Sequence, residues 1–306
     1  MKRILLFLSI PAFLVQIACS RQLPGGRDWE GIISSYSDDG HTADYQKLSL
    51  LNLALAETGR LVDEAFHYTQ AGSDGLFIPW AMTLESGQRL SDIYWSMGHI
   101  AYAQRMAMEA NVLSEGDYDP AMMIRLIETN LVFGAYDVAG KYIAILEQDR
   151  TCGKTAASYR KFLYDDVAVE SDPVLGLKRK CIPAEDHISL AGGIEEDMKR
   201  IIRTNPAHRI TADYLGTIYL LDCDMEAFKL FVDEFYGTEA LPELHGSFAE
   251  AACILSEIHR GYWKTVGVDR VVYDRYLEFL KRVGTGVSMD RFKDTFWYYI
   301  MRVNSQ

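Results

Sequence analysis

From residue 45 onward, apolar side chains recur at helical spacing almost throughout the chain. Within residues 212–231, Leu215, Tyr219 and Leu220 lie one turn apart. After the polar Asp222-Cys223-Asp224, a second stripe follows at Ala227, Phe231 and Phe235. Recurrence at three and four residues places one face of each helix on a core, so this stretch predicts two helices joined by a short turn. The layout recurs. Met123, Leu126, Ile127 and Leu131 precede a turn at Gly134, and Tyr136, Ala139, Ile143 and Leu146 follow it. Residues 52–68 turn at Gly59 into a second helix bearing Leu61, Ala65 and Tyr68, and residues 94–113 carry Met97-Gly98 ahead of a long apolar stripe. Residues 245–258 and 269–283 form a last pair. Asn205 is placed to cap a helix that has Pro206 at its first position, and the acids at 195–197 open another. Few stretches alternate with period two, which leaves strands without support.

Gly216 interrupts its stripe at a cost of about 1 kcal/mol relative to Ala. A close helix–helix approach would offset that cost. Leu215-Gly216-x-x-Tyr219 has the spacing of the first helix of a tetratricopeptide (TPR) repeat, where the glycine admits the second helix of the hairpin. Such hairpins cannot bury their apolar faces alone, and stacking supplies the partner. The pattern therefore predicts an all-α fold, TPR-like α-α hairpins stacked as a short solenoid. Its repeats occupy residues 28–148 and 193–306, the latter ending in a terminal helix. Between them, residues 149–192 mix charge, Gly and Pro and read as an irregular linker with short helices.

Taken as a series, the stretches at 50–72, 91–113, 126–147, 205–228 and 292–299 resemble the soluble, TPR-like C-terminal part of an uncharacterised family of Bacteroidota. The resemblance covers most of residues 28–300. It implies an α-helical repeat fold and a Bacteroidota source, and it carries no catalytic residues. Members of that family often have a multi-helix membrane portion ahead of this region, whereas this chain has a different head.

That head changes the picture of where the protein works. A basic Met-Lys-Arg start is followed by the apolar run Ile4–Val15 and then Gln16-Ile17-Ala18-Cys19. The run has signal-peptide length and is short for a membrane span. Ala18-Cys19 resembles the lipobox of acylated bacterial lipoproteins, with Gln16 where Leu is usual. The resemblance implies cleavage of residues 1–18, a lipid on Cys19 as the membrane attachment, and a tether over residues 19–27. The tether lacks the acidic cluster of surface-exported Bacteroidota lipoproteins, which points to the outer membrane with the protein facing the periplasm.

A formal charge of −12 opposes nucleic-acid binding, which needs a basic face. Cys152-Gly-Lys-Thr lacks the first glycine and the preceding strand of a phosphate loop, and Gly153 reads as a helix stop. The seven histidines form no paired metal motif, no GxSxG is present, and no cofactor is implied. Cys152 and Cys181 flank the irregular segment and are placed for a disulfide, while Cys223 and Cys253 read as buried apolar residues. In the last helix Phe292, Phe296, Tyr299 and Val303 share one face. Trp297 and Tyr298 lie off it, where they could anchor a partner. The function expected is a non-enzymatic, membrane-tethered scaffold for a protein or peptide. The alternative is a glycan- or nutrient-binding lipoprotein.

Overall fold

The computed structural model describes residues 27–38, 44–184 and 193–304. Cys19, the leader and most of the tether lie outside them. Among the described residues regular structure is helical, with two isolated β-bridges and no strand. No helix there is long and apolar enough to cross a membrane.

Helix α1 (Trp29–Ser35) is capped by Asp28, which accepts from the Gly31 amide. Helix α2 (Tyr45–Glu57) is capped by Asp44. Gly59 turns the chain, with φ +70, into a helix much shorter than the pattern predicts: α3 (Leu61–Glu64) passes at once into a 3-10 turn over Ala65–His67. Next come α4 (Leu84–Ser96), which packs on α2, and α5 (Ile100–Val112), α6 (Pro120–Val132) and α7 (Tyr136–Leu146), each of the three packed on the one before it. Thr83 and Ser86 form a capping box on α4, and Asp119 with Pro120 starts α6. Short helices fill the next segment: α8 (Gly153–Ser158), α9 (Asp166–Ser171) and α10 (Leu175–Arg179). Gly153 begins α8 rather than ending a helix, because its backbone lies against Glu147, whose carbonyl oxygen would be 2.6 Å from an added Cβ.

The C-terminal half comprises α11 (Gly193–Thr204), α12 (Arg209–Leu221), α13 (Met225–Phe235), α14 (Gly246–Ile258), α15 (Tyr262–Thr265), α16 (Arg270–Arg282) and α17 (Phe296–Val303). Asn205 is not an N-cap. It follows the end of α11 in a buried turn, and α12 starts only at Arg209.

The core does not follow chain order. Leu48, Leu55, Leu61 and Phe66 of the first hairpin share one apolar cluster with α12, α13, α14 and α17. The helices α4–α7, together with Cys152, Phe162, Val169 and Leu175 of the next segment, form a second. Gly216 is a close-approach glycine, but its neighbour is not its own hairpin partner. A Cβ there would lie 2.3 Å from Phe248 Cζ on α14.

Candidate functional site

The segment expected to be an irregular linker with short helices carries three of them over its described part, residues 149–184, and the last packs as a wedge between helix ends. Lys178 and Arg179, at the end of α10, reach the C-termini of two neighbouring helices. Lys178 Nζ donates to Ser96 O, the last carbonyl of α4, at 2.8 Å. Arg179 donates to Leu131 O at 2.7 Å and Val132 O at 3.1 Å, the last carbonyls of α6. Each carbonyl sits at the negative end of a helix dipole; Leu131 O also accepts from Gly134 N at 3.1 Å, whereas Ser96 O and Val132 O take these side-chain donors alone among the backbone and side-chain bonds of the described residues. Two consecutive cations therefore complete both helices.

The same lysine forms the floor of a cleft of about 620 Å³, bounded by Glu57, Trp95, Leu177, His208 and Asp213. Hydrogen bonds fix the proton positions beneath it. Thr211 has one hydroxyl proton and gives it to Met97 O at 2.7 Å. Its oxygen must then accept from His208 Nδ1, 2.9 Å away. His208 Nε2 is left as an acceptor and takes a proton from Lys178 Nζ at 3.0 Å. Burial and the adjacent ammonium push the His208 pKa down to about 3, so this imidazole stays neutral. Burial lowers Lys178 to about 8. Nearby, Glu57 accepts from Ser96 Oγ at 2.6 Å. Burial raises Asp213 to about 6.

A polar seam continues past Trp95. The Arg125 guanidinium lies 4.3 Å from the Trp95 ring centroid, and Lys178 Nζ lies 5.8 Å from it. Arg125, only 3% exposed, donates to Asp92 at 3.2 Å and to Glu128 at 2.9 Å. Asp92 also pairs with Arg27 at 2.5 Å, and Glu128 accepts from Tyr159 at 2.8 Å. A second cavity of about 610 Å³ opens beside Arg27, Arg89 and Asp92. In chemical terms the seam is a support. Its histidine is committed as an acceptor, and its acids mostly face fixed donors. Among the described residues no group of three or more His, Cys, Asp or Glu side chains is placed to hold a metal ion.

The residues singled out in the sequence lie elsewhere. Cys181 is a free, buried thiol, so the Cys152–Cys181 bridge is absent. Its Sγ instead donates to Leu177 O at 3.4 Å, accepts from Asn205 at 3.5 Å, and packs where a Cβ on Gly98 would meet it at 2.8 Å. Cys152 belongs to the other side of the wedge, in the α4–α7 cluster. Trp297 is 0% exposed and is no surface anchor. Its Nε1 donates to Glu250 O at 2.9 Å and its ring lies 5.3 Å from Tyr276. The single-face expectation failed because α17 sinks its first turn between α14 and α16, which covers two faces. Tyr298 is half-buried. Lys178 had been hidden in Leu-Lys-Arg-Lys, which reads as a solvated charge run; the one signal was apolar Val174, Leu175 and Leu177 just ahead of it.

The fold and site define an all-helical protein of packed hairpins with a charge-lined cleft where helix ends meet. Residues 23–302 match a family of unknown function (DUF6057), and the chain belongs to it. No curated protein and no solved structure matches the chain.

Proposed function

We propose that the chain is a non-enzymatic scaffold of TPR-like helical hairpins, tethered by a lipid on Cys19 at the outer membrane and facing the periplasm, which recognises a protein or peptide. The consecutive antiparallel packing of α4 to α7 supports the TPR-like reading. The observation that carries the binding role is an uncovered apolar strip on the outer helices. Val112 is 72% exposed, and Met108 and Ile145 are exposed with it. Met108 and Val112 lie one turn apart on α5, and Val138, Tyr142 and Ile145 share one face of α7. Tyr142 Oη lies 4.0 Å from Met108 Sδ, which joins the two helices into one surface. Uncovered apolar surface of this kind is characteristic of partner sites.

The wedge occupies the C-terminal ends of α4 and α6, whereas the strip on α5 and α7 stays exposed and is the surface left for a partner. The test is Val112→Glu with Ile145→Glu, two exposed positions at which the fold should persist. A native complex above monomer size in envelope extracts should dissociate in the double variant. An unchanged complex would contradict the reading. The glycan alternative draws less support from the aromatics: Trp263 and Tyr273 stack on each other at 4.4 Å, which spends that ring pair.

A further inference from the structure

We propose that the cleft over Lys178 binds an α-amino carboxylate, either a free amino acid or the free ends of a short peptide, with the ligand carboxylate on Lys178 Nζ and its ammonium towards Asp213 and Glu57. This goes beyond the scaffold reading and stands whether or not the outer strip docks a partner.

The argument begins with an incomplete ion. Lys178 is 6% exposed, and no carboxylate of the described residues lies within salt-bridge distance of it. A buried ammonium is costly unless it is paired. Its three protons have two acceptors, Ser96 O and His208 Nε2, both supplied by the protein. The tautomer fixed by Thr211 leaves His208 no proton to offer on that side, so it supports the lysine without competing for an anion. One Nζ proton is left over in a residue that lines the cleft. The lysine remains protonated at neutral pH, with its pKa at about 8.

The other groups restrict what anion fits. Asp213 lines the same cleft and makes no hydrogen bond or ion pair within the described residues. Glu57 lines it too and faces only the Ser96 hydroxyl. Arg209 and His245 also line the cleft, but Arg209 Nε donates to Glu239 O and His245 faces Asp63. Beside the Lys178 donor the two acids Glu57 and Asp213 favour a ligand that also carries a positive charge over a phosphate or other dianion. Leu177, Ile210 and the edge of Trp95 provide apolar wall for a side chain. About 620 Å³ accommodates a single amino acid or a few residues of peptide. A sugar would want open aromatic faces, whereas Trp95 is buried with two cations beside it.

The test uses the full chain in detergent, with thermal melting and titration calorimetry against single L-amino acids and against dipeptides and tripeptides. Each ligand is paired with its C-amidated and N-acetylated forms. Binding should raise the melting temperature, and amidation or acetylation should each weaken it by about tenfold or more. The arm that binds more tightly identifies free amino acid or peptide as the source. Affinity should fall as pH rises through about 8, where Lys178 loses its proton. Lys178→Met removes the anchor but also uncaps α4, so its fold is checked by circular dichroism. Asp213→Asn leaves that cap intact and should weaken the zwitterion by about tenfold while leaving the N-acetylated ligand's affinity unchanged. The proposal is overturned if neither arm binds at about 10 mM, if amidated ligands bind equally well, or if a folded Lys178→Met variant retains wild-type affinity.

Discussion

Replacing Gly216 by Ala separates helix propensity from packing. In an exposed helix interior the change stabilises by about 1 kcal/mol, because alanine loses less backbone entropy on folding. At Gly216 the new Cβ would meet Phe248 Cζ at 2.3 Å, with two further ring carbons at 2.8 and 2.9 Å. The ring has little room to retreat: it is 1% exposed, with the Phe228 and Phe231 centroids 5.3 and 6.1 Å away. Overpacking of this kind costs about 1–3 kcal/mol, so after the propensity gain the variant should end about 0–2 kcal/mol less stable than the parent, against a gain where no overpacking occurs. Gly140, inside α7, is the control. A Cβ there meets nothing nearer than Leu163 Cδ1 at 3.8 Å, and Gly140→Ala should stabilise by about 1 kcal/mol. Urea unfolding of both variants gives the two signs directly. Phe248→Leu, combined with Gly216→Ala, should recover about 1 kcal/mol relative to additivity, since the smaller side chain leaves space for the methyl. If Gly216→Ala stabilises as much as Gly140→Ala, the close approach of α12 and α14 is wrong.

Three other perturbations probe separate parts of the structure. Burial pushes the Glu250 carboxyl up to about 8 from 4.5, so the folded protein holds a proton there that the unfolded chain has released. Its stabilising contribution is complete below pH about 4.5 and is lost as pH rises through about 8. Glu250→Gln should flatten the decline of melting temperature over that window, and parallel profiles for the two proteins would refute the assignment. Arg125→Met leaves Asp92 and Glu128 buried without their shared cation and should destabilise by about 3–5 kcal/mol in denaturant titrations. Adding Glu128→Gln should restore part of that loss. Trp297→Ala should cost about 3–5 kcal/mol in the same assay, as expected for a core aromatic rather than a surface anchor.

The hairpins were legible because their signals are local. Helical periodicity with Gly98 and Gly134 at the turns is enough for α4 with α5 and α6 with α7, and with the polar Asp222-Cys223-Asp224 for α12 with α13; Gly59, Gly98 and Gly134 do take positive φ, and at the last turn Cys223 does. Periodicity does not tell which helix lies across from a given face. Gly216 could be read as a close-approach residue, yet its neighbour on α14 is 32 residues away in the chain. The cleft was illegible for the same reason. Lys178 meets Ser96 across 82 residues and His208 across 30, and no pattern within residues 149–184 marks a lysine that will be buried. Periodicity puts Trp297 on the open side of a one-stripe helix, whereas α17 packs against both α14 and α16.

The most direct test of the scaffold reading is photo-crosslinking in the intact cell envelope, with a photoreactive residue placed in turn at Val112, at Ile145 and at Val174 on the rim of the cleft. The account predicts a discrete adduct of protein size from Val112 and Ile145 and none from Val174. Protein adducts confined to Val174, or an absence of adducts from both outer positions, would contradict it.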